Sequence, residues 1–317
     1  MSTYLVTGAT GYIGSSLINR IKNTKQDIKL IALVRDAVKA KQRLPEYVEY
    51  MECDLADPAL ADKLLQLCDK EMYIIHCASV TQSAYMVSNP VETIESIVNT
   101  TQNVMRIARK CKAKSVVYLS SMEVYGNVDC SDGHRVSEEE LGQVEIFNVR
   151  SCYPLGKRMA EIICYSYYKE YGVPVKIVRL AQTFGHGILP EDNRVFAQFA
   201  KSVRENTDIV LHTMGSSVGN YCSIDDAISG ILTILKDGKD GEAYNVVNER
   251  NTMTIRQMAE LVAEKLAEGR IRVVFDIPEG NPHGYAADTG IRLSGKKLEE
   301  LGWKAKDDMI TMYKQII

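Results

Sequence analysis

Short apolar runs rich in Val, Ile, Leu and Tyr recur through the first half of the chain, at 3–7, 28–34, 72–76, 115–119 and 174–180. Each is closed by polar or glycine-bearing residues. Runs of this length predict strands buried on both faces. The segments between them, 12–23, 57–69, 91–110 and 151–171, place apolar residues at helical spacing. Strand and helix alternating with such crossovers predict a Rossmann-like, doubly wound parallel sheet of the α/β class. Ligands of such sheets bind at the carboxyl ends of the strands.

Beyond residue 180 the pattern loosens. Helical spacing returns at 192–205, 224–236 and 254–267, while "DIVLHT", "AYNVVN" and "IRVVFDI" read as short strands. The expectation is a dinucleotide-binding domain over 1–180 that carries the catalytic residues, and a smaller α/β cap over 181–317 that mainly binds substrate. The substrate then lies in the cleft between them.

Composition acts mainly by exclusion. With 317 residues and 45% hydrophobic content the chain can bury a large core. Lys and Arg number 38 against 41 Asp and Glu, a net charge of −3, so no broad basic field invites nucleic acid or an anionic membrane surface. No apolar run approaches the roughly 18 residues of a membrane helix. The eight cysteines, at 53, 68, 77, 111, 130, 152, 164 and 222, form no CxxC, and no signal-like segment precedes the first strand. These features fit a reducing cytoplasm.

The first candidate chemistry is "YLVTGATGYIGSSL", where Gly8, Gly11 and Gly14 join a strand to a helix. Glycines there permit a sharp turn and close approach to a pyrophosphate, which the amides of the helix N-terminus stabilise. After the second strand, Arg35 and Asp36 stand where such folds meet the adenosine ribose. A carboxylate there binds the ribose hydroxyls of NAD and a guanidinium the 2′-phosphate of NADP, so both cofactors stay open. Asp54, after the third strand, is placed either to accept from the adenine amino group or to cap the following helix. In "SCYPLGKRMAE", Tyr153 and Lys157 lie one helical turn apart, so the ammonium is expected to favour phenolate and lower the phenol's pKa. His76 and His186 read as structural or loop residues, Cys152 as helix packing, and no cluster has metal-ligand spacing.

The glycine motif, Asp54-Leu55, "HCAS" at 76–79, "SSMEVYG" at 120–126, Tyr153 to Lys157 and "RLAQTFG" at 179–185 follow one another in an order that resembles the extended short-chain dehydrogenase/reductase family. The resemblance is to its nucleotide-sugar epimerase/dehydratase branch. It implies cofactor contacts from Gly8, Thr10, Gly11, Tyr12, Ile13, Gly14, Asp54, Leu55, Cys77, Ala78 and Ser79. It also implies that Tyr153 is the acid/base, that Lys157 binds the nicotinamide ribose, and that Ser121 hydrogen-bonds the substrate oxygen. Thr81, Met122, Gln182, Arg194 and Arg292 are the further substrate-binding candidates. A homodimer through 91–110 and 151–171 is expected on the same basis.

Glu123 selects among the family's reactions. Members that dehydrate a 4-keto sugar resemble "STDEVYG" here, with Asp as acid for the 6-hydroxyl and Glu as base at C5; this chain keeps Glu123 but has Met122 in place of the Asp. The bland alternative is that Glu123 pairs with a basic residue or caps a turn. Relatives often carry an Arg for the diphosphate where this chain has Gly219, and Ser223 replaces a second aromatic; Arg194, Arg256 or Arg292 is left to supply that charge. The expected function is an NAD(P)-dependent nucleotide-sugar enzyme working through a 4-keto intermediate, a 4,6-dehydratase by virtue of Glu123. NAD is slightly favoured because the reaction is redox-neutral. The rivals are a 4-epimerase, an NADP-dependent ketone reductase and a non-catalytic dinucleotide sensor.

Overall fold

The computed structural model describes residues 2–68, 71–189, 192–279 and 289–317. Six strands appear where the chain first alternates or just beside it: β1 (Ser2–Thr7), β2 (Ile28–Val34), β3 (Glu49–Glu52), β4 (Met72–His76), β5 (Ser115–Ser121) and β6 (Val175–Leu180). With Ala243–Val246 they form one seven-stranded sheet in the order Ala243–Val246, β6, β5, β4, β1, β2, β3. All its pairings are parallel. The Tyr12–Thr24 and Ile224–Asp237 helices cover one face through Leu17, Ile18, Ile21, Ile228 and Ile231. The Pro90–Lys110 and Cys152–Tyr171 helices cover the other through Ile97, Val104, Met105, Ala160 and Cys164. Strands covered on both sides need apolar side chains at nearly every position, and that is why they read as continuous runs.

The chain leaves β1 towards β2 and β3, then crosses back to β4 on β1's other side. This reversal opens a crevice at the carboxyl ends of β1 and β4. Thr7 closes its floor: its Oγ1 accepts from Ala78 N at 3.1 Å and bonds His76 Nδ1 at 2.7 Å. His76 is buried, and burial with Lys157 nearby pushes its pKa down to about 3. A neutral imidazole therefore bridges Thr7 and Thr101, whose Oγ1 lies 3.3 Å from Nε2.

Three local features differ from the sequence reading. Ala243–Val246 was expected in the cap but pairs with β6, so the second half of the chain returns to the main sheet. The 57–69 segment is broken into Leu60–Lys63 and a 3₁₀ turn at Leu65–Leu67, with residue 69 outside the described residues. β3, a polar edge strand paired with β2, is absent from the apolar runs, although placing Asp54 after a third strand implied it.

The cysteines are also not all free: Cys68 and Cys111 form a disulfide. They lie 43 residues apart, and it is the fold that brings the end of the 65–67 turn against the cap of the Pro90–Lys110 helix.

The remaining residues of the second half have their own core. Phe184 stacks on Phe196 at 4.3 Å, and Tyr221 and Tyr313 pack edge-on against Phe184. Gln182–Phe184 follows the carboxyl end of β6 and pairs with Tyr221–Ser223.

Candidate active site

The glycine turn sits on the β1 side of the crevice. Gly8 has φ +65, and a Cβ there would lie 2.7 Å from Ala78 N; at Gly14 a Cβ would meet Gly8 O at 2.3 Å. Two glycines are thus required by the protein's own backbone. Gly11 differs, since a Cβ there would meet only Gly8 O, at 3.2 Å. It is the N-cap of the Tyr12–Thr24 helix and offers no side-chain cap, so the first amides of that helix have no side-chain acceptor. Those donors suit a pyrophosphate. Tyr12 reaches across to the second unit, its hydroxyl donating to His186 O at 3.1 Å, and Ile13 packs against the core.

At the ribose end, Asp36 caps the Ala37–Arg43 helix by accepting from Lys39 N at 2.9 Å, while Arg35 is exposed. Arg43 extends back to Thr10 O at 3.3 Å. Asp54 accepts from Ala56 N at 2.8 Å, so it closes a local turn rather than capping the helix at 60–63. Leu55 is buried beside it. Cys77, Ala78 and Ser79 follow β4 along the crevice, and Thr81 is exposed beyond them. These donors and carboxylates fit a dinucleotide lying across the sheet edge.

Ser121 ends β5, and its Oγ accepts from Glu123 N at 3.2 Å, starting the 3₁₀ turn Met122–Tyr125. Tyr153 and Lys157 face it from the Cys152–Tyr171 helix, and both are buried. Lys157 Nζ donates to Leu119 O at 2.8 Å and lies 5.8 Å from the centre of the Tyr153 ring. Burial pushes the lysine's pKa down to about 8, with Glu161 opposing. The Tyr153 phenol is raised, first by burial and then by Glu123, while a hydrogen bond with Ser121 and the Arg150 cation pull it down. This corrects the sequence expectation that Lys157 would lower it. The ammonium is committed to Leu119 O, and burial sets the direction of the phenol's shift.

A buried charge network stands behind the lysine. Glu161 takes two bonds from Arg179, at 2.7 and 3.0 Å, and one from Ser120 Oγ at 2.6 Å. Arg179 also donates to Glu138 O at 2.7 Å. The bonds tie β5 and β6 to the helix and so fix Ser121 relative to Tyr153 and Lys157.

Glu123 has a partner that sequence reasoning did not name. Arg150 Nη2 lies 2.8 Å from Oε2 and 2.9 Å from Oε1 of Glu123. Pairing with a basic residue, the bland reading, is therefore present. Yet the pair lies beside the phenol: the Arg150 guanidinium carbon is 5.4 Å from the centre of the Tyr153 ring. The signal available in sequence was an arginine three residues before the tyrosine. Met122 is half-buried against the core and brings no ionisable group.

Among the substrate candidates of the second unit, Gln182 is half-buried at the start of its strand, its backbone N–H donating to Asn220 O at 2.9 Å. Arg194 forks onto Asp192, and Arg256 pairs with Glu260 at 2.8 Å over the Phe275 ring. Arg292 is half-buried, its carbonyl accepting from Val136 N. Gly219 has a physical reason to be glycine: a Cβ there would lie 2.3 Å from the Tyr221 hydroxyl. Tyr221 fills the space an arginine side chain would need to leave the backbone. Cys152 is buried, its thiol directed at Met86 O. Among the described residues no group of three or more His, Cys, Asp or Glu is gathered to hold a metal, and no helix is long and apolar enough to cross a membrane.

A glycine turn thus stands at the sheet's switch point, and Ser121 at the end of β5 meets a buried phenol and an ammonium one helical turn apart. The family model described as the NAD dependent epimerase/dehydratase family matches residues 4–247. The chain belongs to that family. It is 26% identical over 303 residues to UDP-glucuronic acid decarboxylase 3 of Arabidopsis thaliana, covering 95% of this chain and 84% of the relative. The fold is similar to that of the UDP-glucose 4-epimerase of Thermotoga maritima, solved with UDP-glucose (TM-score 0.84, 21% identity, 99% of this chain and 97% of that one). It is also similar to the dTDP-glucose 4,6-dehydratase of Bacillus anthracis in complex with NAD (TM-score 0.79, 20% identity, 100% of this chain and 95% of that one).

Proposed function

We propose that the protein oxidises a nucleotide-activated sugar at C4, carries out a second step on the resulting ketone, and returns the hydride within the same turnover. The observation that carries this reading is the convergence of Ser121, Tyr153 and Lys157 on the crevice that the glycine turn borders. When bound, an oxidised nicotinamide takes up the hydride and brings a positive charge to the cleft. Gly11 and the helix behind it hold the pyrophosphate, Arg35 or Asp36 meets the adenosine ribose, and Lys157 meets the nicotinamide ribose. Tyr153 takes the proton of the C4 hydroxyl, with Ser121 holding the same oxygen.

For the second step we favour loss of carbon dioxide from a uronic acid over the dehydration expected from Glu123. With a ketone at C4, a carboxylate at C6 is a β-keto acid. Its C5–C6 bond breaks, the electron pair passes into the C4–C5 enolate, and C5 is then protonated. No acid is needed at C6, which suits the apolar Met122, and the decarboxylase relative supports the choice. Glu123 is the group we assign to relay a solvent proton to C5, and that is the route by which deuterium enters there. Dehydration remains the second reading because the same carboxylate serves as its base.

The exposed residues Val91 and Ile94 on one helix and Met159 and Ile162 on its neighbour support the expected homodimer. Supply of cofactor and nucleotide sugar places this chemistry in the cytoplasm; the Cys68–Cys111 bond is the feature that runs against a reducing compartment.

The test is product analysis by NMR in deuterated water, with NAD or NADP and UDP-glucuronate, UDP-glucose or dTDP-glucose. A nucleotide pentose labelled at C5 supports decarboxylation, and a 6-deoxy-4-keto sugar selects dehydration. A C4 epimer without label at C5 would overturn both. Glu123→Gln should still form reduced cofactor and then stall before a product labelled at C5 appears.

A further inference from the structure

Tyr153 and Glu123 present a like-charge problem. The phenol must approach phenolate while a carboxylate stands beside it and raises its pKa. Arg150 touches both, binding Glu123 through Nη2 and lying over the Tyr153 ring. Its Nη1 is buried and takes no hydrogen-bond acceptor. The guanidinium is held from the backbone side: Asn148 Oδ1 accepts from Arg150 N at 3.0 Å and caps the Val149–Ser151 turn, and the next residue is packed against Met86. Pair side chains are 29% exposed for Arg150 and 43% for Glu123, so the contact lies at the cleft rather than in the core.

We propose that Arg150 is a positioning residue that fixes the Glu123 carboxylate and cancels its field at Tyr153, allowing a carboxylate and a phenolate to work in one cleft. This rests on the roles assigned above to Glu123 and Tyr153, though not on the identity of the sugar. The other charged or titratable groups facing the phenol are Lys157 on its own helix, Tyr118 on β5 and the neighbouring Cys152. Lys157 is committed to Leu119 O. Tyr118 and Cys152 are both pushed up by burial and stay neutral near pH 7. That leaves Arg150 as the cation paired to the offending carboxylate.

The test is a cycle of Arg150→Met, Glu123→Gln and the double variant in full-length protein saturated with NAD. Tyr153 ionisation is read by NMR of protein labelled with ¹³C at the tyrosine Cζ, the signal being assigned by its loss in Tyr153→Phe. Arg150→Met should move the ionisation up by about one pH unit, the scale of a nearby charge. Glu123→Gln should move it down, and the double variant should return close to wild type. Arg150→Lys should stay near wild type, because it keeps the charge, and Arg150→Gln, which removes the charge but stays polar, serves the same comparison if the Met variant fails to fold. An unmoved ionisation in Arg150→Met, or in Glu123→Gln, would overturn the proposal. None of these measurements needs a sugar, so an error in substrate class would leave this result standing and appear only in the product analysis.

Discussion

Replacing Lys157 by Met should make the protein more stable and inactive. Burial lowers the lysine's pKa from 10.5 to about 8 in the fold. Between those values the unfolded chain holds a proton that the folded one gives up, so the lysine's contribution to stability rises with pH across this window and is at its worst below it. A shift of this size corresponds to about 3 kcal/mol at neutral pH. The bond to Leu119 O is lost with the side chain, which takes back about 1 kcal/mol. The net expectation for Lys157→Met is a gain of about 2 kcal/mol at pH 7, since methionine is an apolar chain of similar length. Urea unfolding of both proteins at intervals from pH 7 to pH 10.5 measures it. The gap should be widest at pH 7 and shrink as pH rises through the window. A destabilised variant at pH 7, or a gap independent of pH, would refute the reasoning.

Tyr153→Phe should bind cofactor nearly as well as wild type while turnover falls by at least about 100-fold, the scale of a lost acid or base; steady-state kinetics and cofactor titration decide, and ordinary activity would remove Tyr153 from the proton transfer. If Arg35 reads a 2′-phosphate, Arg35→Ala should weaken NADP far more than NAD in calorimetric titrations, because only one cofactor loses a charge-assisted pair. Equal losses, or none, would leave Asp36 as the ribose ligand despite its capping role. Reducing the Cys68–Cys111 bond, which closes a separation of 43 residues, should cost up to about 4 kcal/mol on the chain-entropy account. A melting temperature indifferent to reductant would count against the bridge.

What the sequence disclosed was whatever a single segment decides alone. Buried parallel strands must be apolar almost throughout, so β1, β2 and β4 to β6 stand out from their neighbours. Gly8 and Gly14 are legible because no other residue fits the backbone contacts at those points. Tyr153 and Lys157 are one helical turn apart, a spacing visible in any sequence. What stayed hidden depends on partners distant in the chain. β3 is a strand only because β2 lies beside it, and Ala243–Val246 joins the main sheet only through β6. The Cys68–Cys111 bond and the Glu123–Arg150 pair are likewise decided by the fold. The pKa of Tyr153 went the other way from expectation for the same reason: helical spacing shows a neighbouring charge but shows neither burial nor the carbonyl that claims it.

The opposing demands on Lys157 explain why a second charged layer lies behind it. The role proposed for Lys157 needs the ammonium, whereas burial favours the neutral amine. Glu161, one turn further along the helix, raises the lysine's pKa and so opposes that loss. A buried carboxylate cannot stand unpaired without a cost of several kcal/mol, and Arg179 meets it with two bonds. Arg179 in turn donates to Glu138 O and Tyr125, while Tyr125 donates to Asn245 in the Ala243–Val246 strand. The strand that returns from the second half of the chain thus ends a line of bonds beginning beside Lys157. Its place in the sheet serves the site as well as the core, because the anion that keeps Lys157 protonated is held by residues which that strand helps to anchor.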